Sequence, residues 1–541
     1  MSSSNIGRHR AILLLFPFAV AVLLRIYPYL VYGVPYSTDS WSPIRNTQEL
    51  LAHTPTTLGG NPVFDGYNIY WPANSVFGAI ASLVFNVAPI KIMPLLFPAI
   101  GAVTVMVFFL VVEKISGSSV VASIASLFLA TAGVDAIFTA AVTKETYAEP
   151  LFMVSILLLL WKTDKRSGAL FAITSVTLAL THHATALLLL VVAGSIISVD
   201  AILLKRRDEP IGRKPLLLVI SGGITLAYFL AYADGGLGPL AGLVTVQSAL
   251  LVLAFLVIFI SPVAYHAVSR PTKLLLAEGA LVLVLAMGVL AIGTSVTLIS
   301  TAPAVSPTLL LSAVPYVLLG VLAIFGYRII HVGKDRRNFV FVASWIAAVL
   351  ALGFLGVFAG VPDGLPILYR VLAFIGAPAI ILASLTLQRA LGSARQRGLV
   401  KVAVVAVVLL ISVTSAYQTY AASIQREGLL GGQWAYQQSD LTGAQWMSAN
   451  SVSRNFNLSG DVRMQYLLTD YLRINVDTSS GYRYLQNPDE SSRPQYLVTY
   501  SLMARNGYVT SLYGVQIPGN WTTVLSQSSP AYYNNGNVIL W

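Results

Sequence analysis

The chain has 541 residues, of which 56% are hydrophobic and only 10% are charged. With a mean hydropathy of +0.74 it has too little polar surface to cover a soluble globular domain, so the composition predicts a polytopic membrane protein. A net charge of +11 can indicate nucleic acid as a partner, but here the basic residues follow the connections between apolar runs, and we expect no nucleic acid.

Apolar runs of about the length of a membrane span recur up to residue 418 and predict about 13 transmembrane helices. The runs are 11–30, 92–112, 119–138, 149–161, 168–181, 184–204, 215–232, 240–260, 274–296, 307–327, 339–360, 371–387 and 401–418. The fourth and fifth runs are short for a span, so we expect these helices to be tilted or extended by neighbouring residues.

The basic residues predict the orientation in the membrane. If the N-terminus is cytoplasmic, 21 of the 26 Lys and Arg residues up to position 418 fall in alternate short connections. By the positive-inside rule we expect a multi-pass protein of the cell membrane, with a cytoplasmic N-terminus and an extracytoplasmic C-terminus. The five exceptions are Arg25, Arg45, Lys91, Lys144 and Arg370.

These patterns predict two domains. Residues 1–418 form a transmembrane domain with a long outer loop, 31–91, in which Val76–Val87 is expected to be a helix at the membrane interface. Residues 419–541 lose the long apolar runs and are expected to form a small extracytoplasmic domain. Its segments QYLVTYS and NVILW predict strands and LTGAQWMSAN predicts a helix, which indicates an α/β or β-rich fold.

Acidic residues are costly near a bilayer, and here they cluster on the predicted outer side. Asp39, in YSTDSWSPIR, follows the first run by a few residues, and Glu149 immediately precedes Pro150 at the fourth run, so both are expected at the outer rim. Two carboxylates brought together at a bilayer surface raise each other's pKa, as does partial desolvation, and this makes a carboxylate a useful general base near neutral pH. We predict Asp39 and Glu149 as catalytic residues, with Glu145 as a neighbour, and solvated loop charges are the alternative.

Basic residues and histidines on the outer side are the candidates for binding a phosphate. Arg370 lies alone at the outer mouth of the twelfth run, where its planar guanidinium suits a phosphate, and snorkelling to lipid headgroups is the alternative. His182 and His183 are candidates for a phosphate or metal contact, or for a hydrogen-bonding core role, and Lys144 is a further phosphate candidate. No cysteine occurs, so a metal would need oxygen or imidazole ligands. Metal and cofactor stay unknown, and a divalent cation is not implied.

Taken in order, these features resemble the GT-C superfamily of membrane glycosyltransferases. They are an Asp after the first span (TDSW), an interfacial helix before the second, an acid-Pro pair in the second outer loop (TYAEP), an Arg at the mouth of a late span (LYR) and a C-terminal outer domain. The superfamily includes oligosaccharyltransferase catalytic subunits, protein O-mannosyltransferases and lipid A aminoarabinose transferases. The tail has no WWDYG-like sequence and Asp39 belongs to no D-x-D or E-x-D pair, so the acceptor and a metal requirement stay open.

The resemblance implies an inverting glycosyltransferase in the lipid bilayer. The donor would be a sugar linked to a polyprenyl or dolichyl phosphate, and the acceptor a protein, lipid or glycan at the outer face. Asp39 would act on the acceptor as the base, and the acids of the second loop would assist. A polytopic transporter or lipid flippase is the alternative, although no internal repeat of the kind that many transporters carry is seen in the sequence. A structural or assembly subunit is a third.

Overall fold

A computed structural model describes most of the chain. The described residues are 3–53, 68–161, 164–209, 212–233, 246–269, 307–332, 336–358, 364–393, 398–423, 435–451, 457–489, 491–510, 514–515, 517–528 and 530–541. Within these ranges the protein is a helical membrane bundle followed by a small domain that contains both helices and strands. The predicted fold class is therefore confirmed.

Fifteen helices of the described residues precede the C-terminal domain. They are α1 Ser3–Tyr32, α2 Trp41–Ala52, α3 Ala73–Phe85, α4 Pro89–Ser116, α5 Ser119–Thr131, α6 Gly133–Thr139, α7 Lys144–Leu160, α8 Lys165–Thr181, α9 His183–Arg206, α10 Lys214–Ala231, α11 Val246–Ser269, α12 Pro307–Val332, α13 Arg336–Phe358, α14 Gly364–Ser393 and α15 Gly398–Ser423. Helices cover all or most of twelve of the predicted runs, and the run 274–296 lies outside the described residues.

Eight of these helices are long and apolar enough to cross a membrane, and a ninth span results if the bent pair α5 and α6 is counted as one. The eight are α1, α4, α9, α10, α12, α13, α14 and α15. Helices α7 and α8 have 17 residues each, about 25 Å at 1.5 Å per residue, which is less than the roughly 30 Å hydrocarbon core. Their shortness agrees with the short runs in the sequence.

The third predicted span is broken at Ala132, where α5 and α6 meet at an angle of 63°. Gly133, the first residue of α6, approaches α15 so closely that a Cβ there would collide with the Gln418 side chain. The break leaves the carbonyl of Ala130 at the end of α5 without a continuing helix, and the guanidinium of Arg25 donates a hydrogen bond to it (3.1 Å). The bend is thus held by a side chain from α1.

The loop between α1 and α4 contains α2 and α3. Helix α3 covers most of the predicted interfacial helix and ends at Asn86, which has a left-handed conformation (φ 51°). Its small and polar residues face the protein, whereas Ile80, Leu83 and Val84 are exposed. An exposed apolar face on a short helix is typical of contact with the membrane interface.

The C-terminal domain is built on a five-stranded mixed sheet with the strand order β2-β1-β3-β7-β6. Strand β1 pairs in parallel with β2 and β3, while β7 is antiparallel to β3 and β6. Strands β4 and β5 form a separate antiparallel pair. The strands are β1 Leu458–Ser459, β2 Val476–Asp477, β3 Tyr496–Tyr500, β4 Tyr508–Val509, β5 Gly514–Val515, β6 Tyr533–Asn534 and β7 Val538–Leu540. The α-helices are α16 Gln438–Ser451, α17 Val462–Gln465, α18 Thr478–Gln486, α19 Met503–Asn506 and α20 Trp521–Ser528. The two strands and the helix predicted from sequence are confirmed.

A buried ion pair lies in the core of this domain. Arg463 bonds to Asp440 (2.6 Å), and its guanidinium lies 4.3 Å and 4.4 Å from the ring centres of Tyr436 and Tyr500. Burial raises the pKa of the nearby Asp461 carboxyl, although a hydrogen bond from Tyr500 opposes this effect. Arg463 and Asp440 are almost fully buried, so each depends on the other for charge compensation.

Aromatic packing joins this domain to the first loop. Trp41, at the start of α2, is fully buried. Its ring centre lies 5.1 Å from that of Tyr436 and 5.2 Å from that of Tyr471. The amide of Gln48 also donates a hydrogen bond to the Tyr471 hydroxyl (3.3 Å). The C-terminal domain therefore packs against α2, the helix that directly follows the turn with Asp39.

Candidate active site

Asp39 lies in a tight turn between α1 and α2. Ser37 adopts a left-handed conformation (φ 75°), and its hydroxyl accepts a hydrogen bond from the Asp39 backbone N–H (3.3 Å). Thr38–Ser40 then forms one turn of 3₁₀ helix. Asp39 is exposed, while the next two residues, Ser40 and Trp41, are buried. The turn thus fixes the backbone and presents the Asp39 carboxylate at the surface.

Ser40 connects this turn to the segment that begins α7. Its hydroxyl donates to the carbonyl of Tyr36 and accepts a hydrogen bond from the backbone N–H of Val142 (2.9 Å). The next residue, Thr143, caps α7 by accepting a hydrogen bond from the Thr146 N–H (3.2 Å). The Asp39 turn and the first turn of α7 are therefore held next to each other by adjacent hydrogen bonds.

The first turn of α7 carries Lys144 and Glu145, both partly exposed. A Glu145 carboxylate oxygen lies 3.3 Å from Nε2 of His182, which occupies the junction between α8 and α9. The other ring nitrogen, Nδ1, lies 2.7 Å from the Thr185 hydroxyl. Because each ring nitrogen lies within hydrogen-bond distance of a partner, the His182 ring has a fixed orientation. The ring in turn holds the Glu145 carboxylate in one orientation.

His183 packs against an aromatic cluster from the first loop. Its ring centre lies 5.1 Å from that of His182 and 4.8 Å from that of the buried Trp71. The residue before this tryptophan, Tyr70, accepts a hydrogen bond at its carbonyl from the Tyr228 hydroxyl of α10 (2.7 Å). The two histidines thus join the second loop, the first loop and α10.

Glu149 belongs to a second, buried cluster. Because α7 begins at Lys144, five residues before the predicted run, Glu149 lies inside the helix and is only 7% exposed. This differs from its expected place at the rim beside Asp39. Its carboxyl group is hydrogen-bonded to that of Asp135, and Asp135 in turn forms an ion pair with Arg25. The structure therefore brings Glu145, His182 and His183 together, and places Glu149 with two other charged residues.

Two kinds of sequence comparison found no relative: no family model matches the chain and no curated protein does. Solved structures do match. The oligosaccharyltransferase AglB from Archaeoglobus fulgidus, in complex with an inhibitory peptide and a dolichol-phosphate, is 13% identical with a TM-score of 0.58, over 93% of this chain and 70% of AglB. The oligosaccharyltransferase from the same organism in complex with zinc and sulfate is 12% identical with a TM-score of 0.57, over 91% of this chain and 68% of that protein. ArnT from Cupriavidus metallidurans, bound to undecaprenyl phosphate, gives 11% identity and a TM-score of 0.51, over 100% of this chain and 98% of ArnT.

This chain has the GT-C fold. At 11–13% identity the likeness concerns the fold alone, so the role of each residue must be argued from this structure. In the GT-C bundle the Asp39 turn, the first turn of α7 and the α8–α9 junction are neighbours through the contacts described above.

The expected phosphate contacts are only partly described. Arg370 belongs to α14, but its side chain lies outside the described residues. Two later residues of the same helix, Ala373 and Phe374, line a small cavity that Asp135 and Glu149 also line.

Sequence reasoning gave no role to Arg25 or Asp135. Arg25 is one of the five exceptions to the charge pattern, and it lies inside the first apolar run, 11–30. A charged residue at that position demands a buried partner, and this signal could have led to Asp135. Among the described residues no group of three or more His, Asp or Glu side chains is arranged to hold a metal ion.

Proposed function

We propose that this protein is a glycosyltransferase that moves a sugar from a polyprenyl-phosphate carrier to an acceptor at the outer face of the membrane. The observation that carries the proposal is the hydrogen-bonded connection between the Asp39 turn and the first turn of α7, through Ser40 and Val142. It joins the turn that carries the exposed Asp39 to the segment that leads into the helix turn of Glu145, whose carboxylate lies 3.3 Å from Nε2 of His182. Supporting it, the fold is shared with proteins whose structures contain dolichol-phosphate or undecaprenyl phosphate.

Asp39 is the general base in this proposal. The acceptor hydroxyl or amide attacks the anomeric carbon of the donor sugar, and the bond between that carbon and the phosphate oxygen breaks. Asp39 takes the acceptor proton, and its negative charge also favours the positive charge that develops on the sugar ring. The carrier leaves as a polyprenyl phosphate, and attack opposite to it inverts the anomeric carbon.

Glu145 and His182 hold the substrates in this proposal. The Glu145 carboxylate accepts hydrogen bonds from sugar or acceptor hydroxyls, and His182 and Thr185 keep it in one orientation. Arg370, Lys144 and His183 bind the donor phosphate, with the guanidinium of Arg370 matching two phosphate oxygens. Glu149 takes a supporting role, because its burial and its contact with Asp135 leave it little access to substrate.

The proposal also includes sidedness and domain boundaries. The N-terminus is cytoplasmic, and the active site and the C-terminal domain, 419–541, are extracytoplasmic, in line with the distribution of basic residues. Carrier and acceptor would then meet at the outer face of the transmembrane domain, 1–418, beside the contact with the C-terminal domain in which Trp41 packs against Tyr436.

A reconstituted transfer assay tests this proposal against the transporter alternative. The protein is placed in proteoliposomes with a polyprenyl-phosphate sugar labelled in the sugar, and an extract of the source membranes is supplied as acceptor. We expect label on the acceptor and release of unlabelled polyprenyl phosphate. Label that crosses the bilayer while still attached to its lipid would indicate a flippase instead.

Glu49→Gln is the matched control for loss of activity. Glu49 is an acid in the same loop, but it pairs with Arg45 on α2 and with His53, which follows the end of this helix. Its neutralisation should leave transfer near the wild-type rate, whereas Asp39→Asn should not. Equal effects of the two variants would mean that the loop needs negative charge in general and that Asp39 has no special role.

A further inference from the structure

A small cavity lies inside the transmembrane bundle, beside Glu149. It has a volume of about 20 Å³, and a cavity of about 10–15 Å³ is enough for one water molecule. Four polar residues line it: Thr104 of α4, Asp135 of α6, Glu149 of α7 and Trp345 of α13. The other lining residues are Leu129, Phe152, Met153, Ala373, Phe374 and Ala377.

Three of these lining residues each carry a buried polar atom that has no hydrogen-bond partner in the part of the chain that the structure describes. The atoms are the Thr104 hydroxyl, Oε2 of Glu149 and Nε1 of Trp345. Their residues are 3%, 7% and 0% exposed, so bulk water does not reach them. A buried polar atom without a partner is costly, and three at one cavity indicate an occupant that pairs with them.

The chemistry of the three atoms selects the occupant. The indole Nε1–H of Trp345 can only donate, so its partner must be an acceptor, and a metal cation is not one. An anion would face the Glu149 carboxyl group, and an apolar guest would leave all three atoms unpaired. Water both accepts and donates, and buried waters typically form about three hydrogen bonds.

We propose that this cavity is a water-binding site. One water molecule accepts a hydrogen bond from the Trp345 indole and donates to Oε2 of Glu149 and to the Thr104 hydroxyl. Through the hydrogen bond between Glu149 and Asp135 and the ion pair of Asp135 with Arg25, this water completes a polar network from α13 to α1.

The network has a mechanical consequence for the bundle. It joins the bend between α5 and α6 to α7, and Glu145 lies one helical turn before Glu149 on the same face of α7. The water therefore helps to fix the position of the turn on which Glu145 lies. This inference does not depend on the proposed glycosyltransferase activity.

A density map at a resolution that shows ordered water is the direct test. We expect a peak within hydrogen-bond distance of Thr104, Glu149 and Trp345 in the wild type, and its loss in the double variant Thr104→Val/Trp345→Phe. A cavity without density in the wild type, or a peak that is unchanged in the double variant, would overturn the proposal.

A double-mutant cycle tests it independently through thermal unfolding in detergent. Thr104→Val and Trp345→Phe each remove one partner of the same water. The combined variant should therefore shift the unfolding midpoint by less than the sum of the two single shifts. Thr104→Val combined with Ser384→Ala is the control, because the Ser384 hydroxyl bonds to its own helix at Ile380 (2.8 Å) and its effect should add.

The ionic composition of the buffer separates water from a cation. Replacing Na⁺ by choline should leave the midpoints of the wild type and Thr104→Val unchanged. If Na⁺ stabilised the wild type and not the variant, the site would hold a cation. Strict additivity of Thr104→Val and Trp345→Phe would also contradict the shared water.

Discussion

Replacing Arg25 by Met removes the only charge that compensates Asp135 among the described residues of its buried cluster. The guanidinium donates to the Thr139 hydroxyl (2.7 Å), to the Ala130 carbonyl (3.1 Å) and to the Asp135 carboxylate. Asp135 also faces Glu149. Arg25→Met fills similar space but leaves Asp135 buried without a countercharge and the Ala130 carbonyl at the bend without its donor.

Breaking a buried pair in this way costs about 3–5 kcal/mol, because the remaining charge stays out of water. The Arg25 side chain is 0% exposed and that of Asp135 is 8% exposed, so solvent offers little relief. An unfolding entropy of about 2.1 cal/mol/K per residue amounts to about 1.1 kcal/mol/K for this chain, so we expect the apparent unfolding midpoint in detergent, followed by tryptophan fluorescence, to fall by about 3–4 °C.

Arg10→Met is the control on the same helix. Arg10 pairs with Glu113 at 2.7 Å, but its side chain is 53% exposed, and such pairs contribute about 0–1 kcal/mol. Its midpoint should stay close to that of the wild type. The double variant Arg25→Met/Asp135→Leu should recover more than half of the fall in the midpoint that Arg25→Met causes, because the Asp135 charge that lost its partner is also removed. Normal stability of Arg25→Met would refute the account of this cluster.

Four further predictions concern the site, the C-terminal domain and the orientation. Glu145→Gln and His182→Ala should each lower the transfer rate. In a double-mutant cycle of transfer rates, the double variant should be little slower than the slower of the two single variants. Arg370→Lys should lose most transfer activity while its expression stays normal, because lysine cannot form a bidentate phosphate contact. Near-normal turnover of this variant would mean that Arg370 only contacts lipid headgroups. Hydrogen bonds from neighbouring serines, Ser480 first, lower the pKa of Asp477 from 3.8 to about 2. Its stabilisation is therefore present above about pH 4 and is lost as the pH falls towards 2, and Asp477→Asn should remove this part of the acid dependence. A tag after Trp541 should be labelled in intact cells, because the C-terminus is expected outside. Labelling only after permeabilisation would mean that the C-terminus is cytoplasmic.

The helical fold was predictable because hydropathy alone defines apolar runs of span length. The break at Ala132 was not, since the run 119–138 is continuous in sequence. The bend depends on the close approach of Gly133 to Gln418 and on the guanidinium of Arg25. Both partners are far away along the chain, and such contacts leave no local pattern.

The candidate site was predictable in part. The structure joins the Asp39 turn to the second loop, and Ser40 supplies the contact. Glu149 was expected at the rim because the apolar run begins there, but polar residues from Lys144 onward extend the helix. Glu149 is buried because it packs with Asp135 of α6 and Arg25 of α1. The sequence around Glu149 does not show that these helices approach it.

The most direct test of the central claim separates donor binding from chemistry in Asp39→Asn. In a single-turnover experiment with a labelled polyprenyl-phosphate sugar, we expect the variant to bind the donor as the wild type does. Release of polyprenyl phosphate should be slower by at least about a hundredfold, within the range of general-base contributions. If Asp39→Asn released polyprenyl phosphate at the wild-type rate, Asp39 would not be the base and the proposed active site would be wrong.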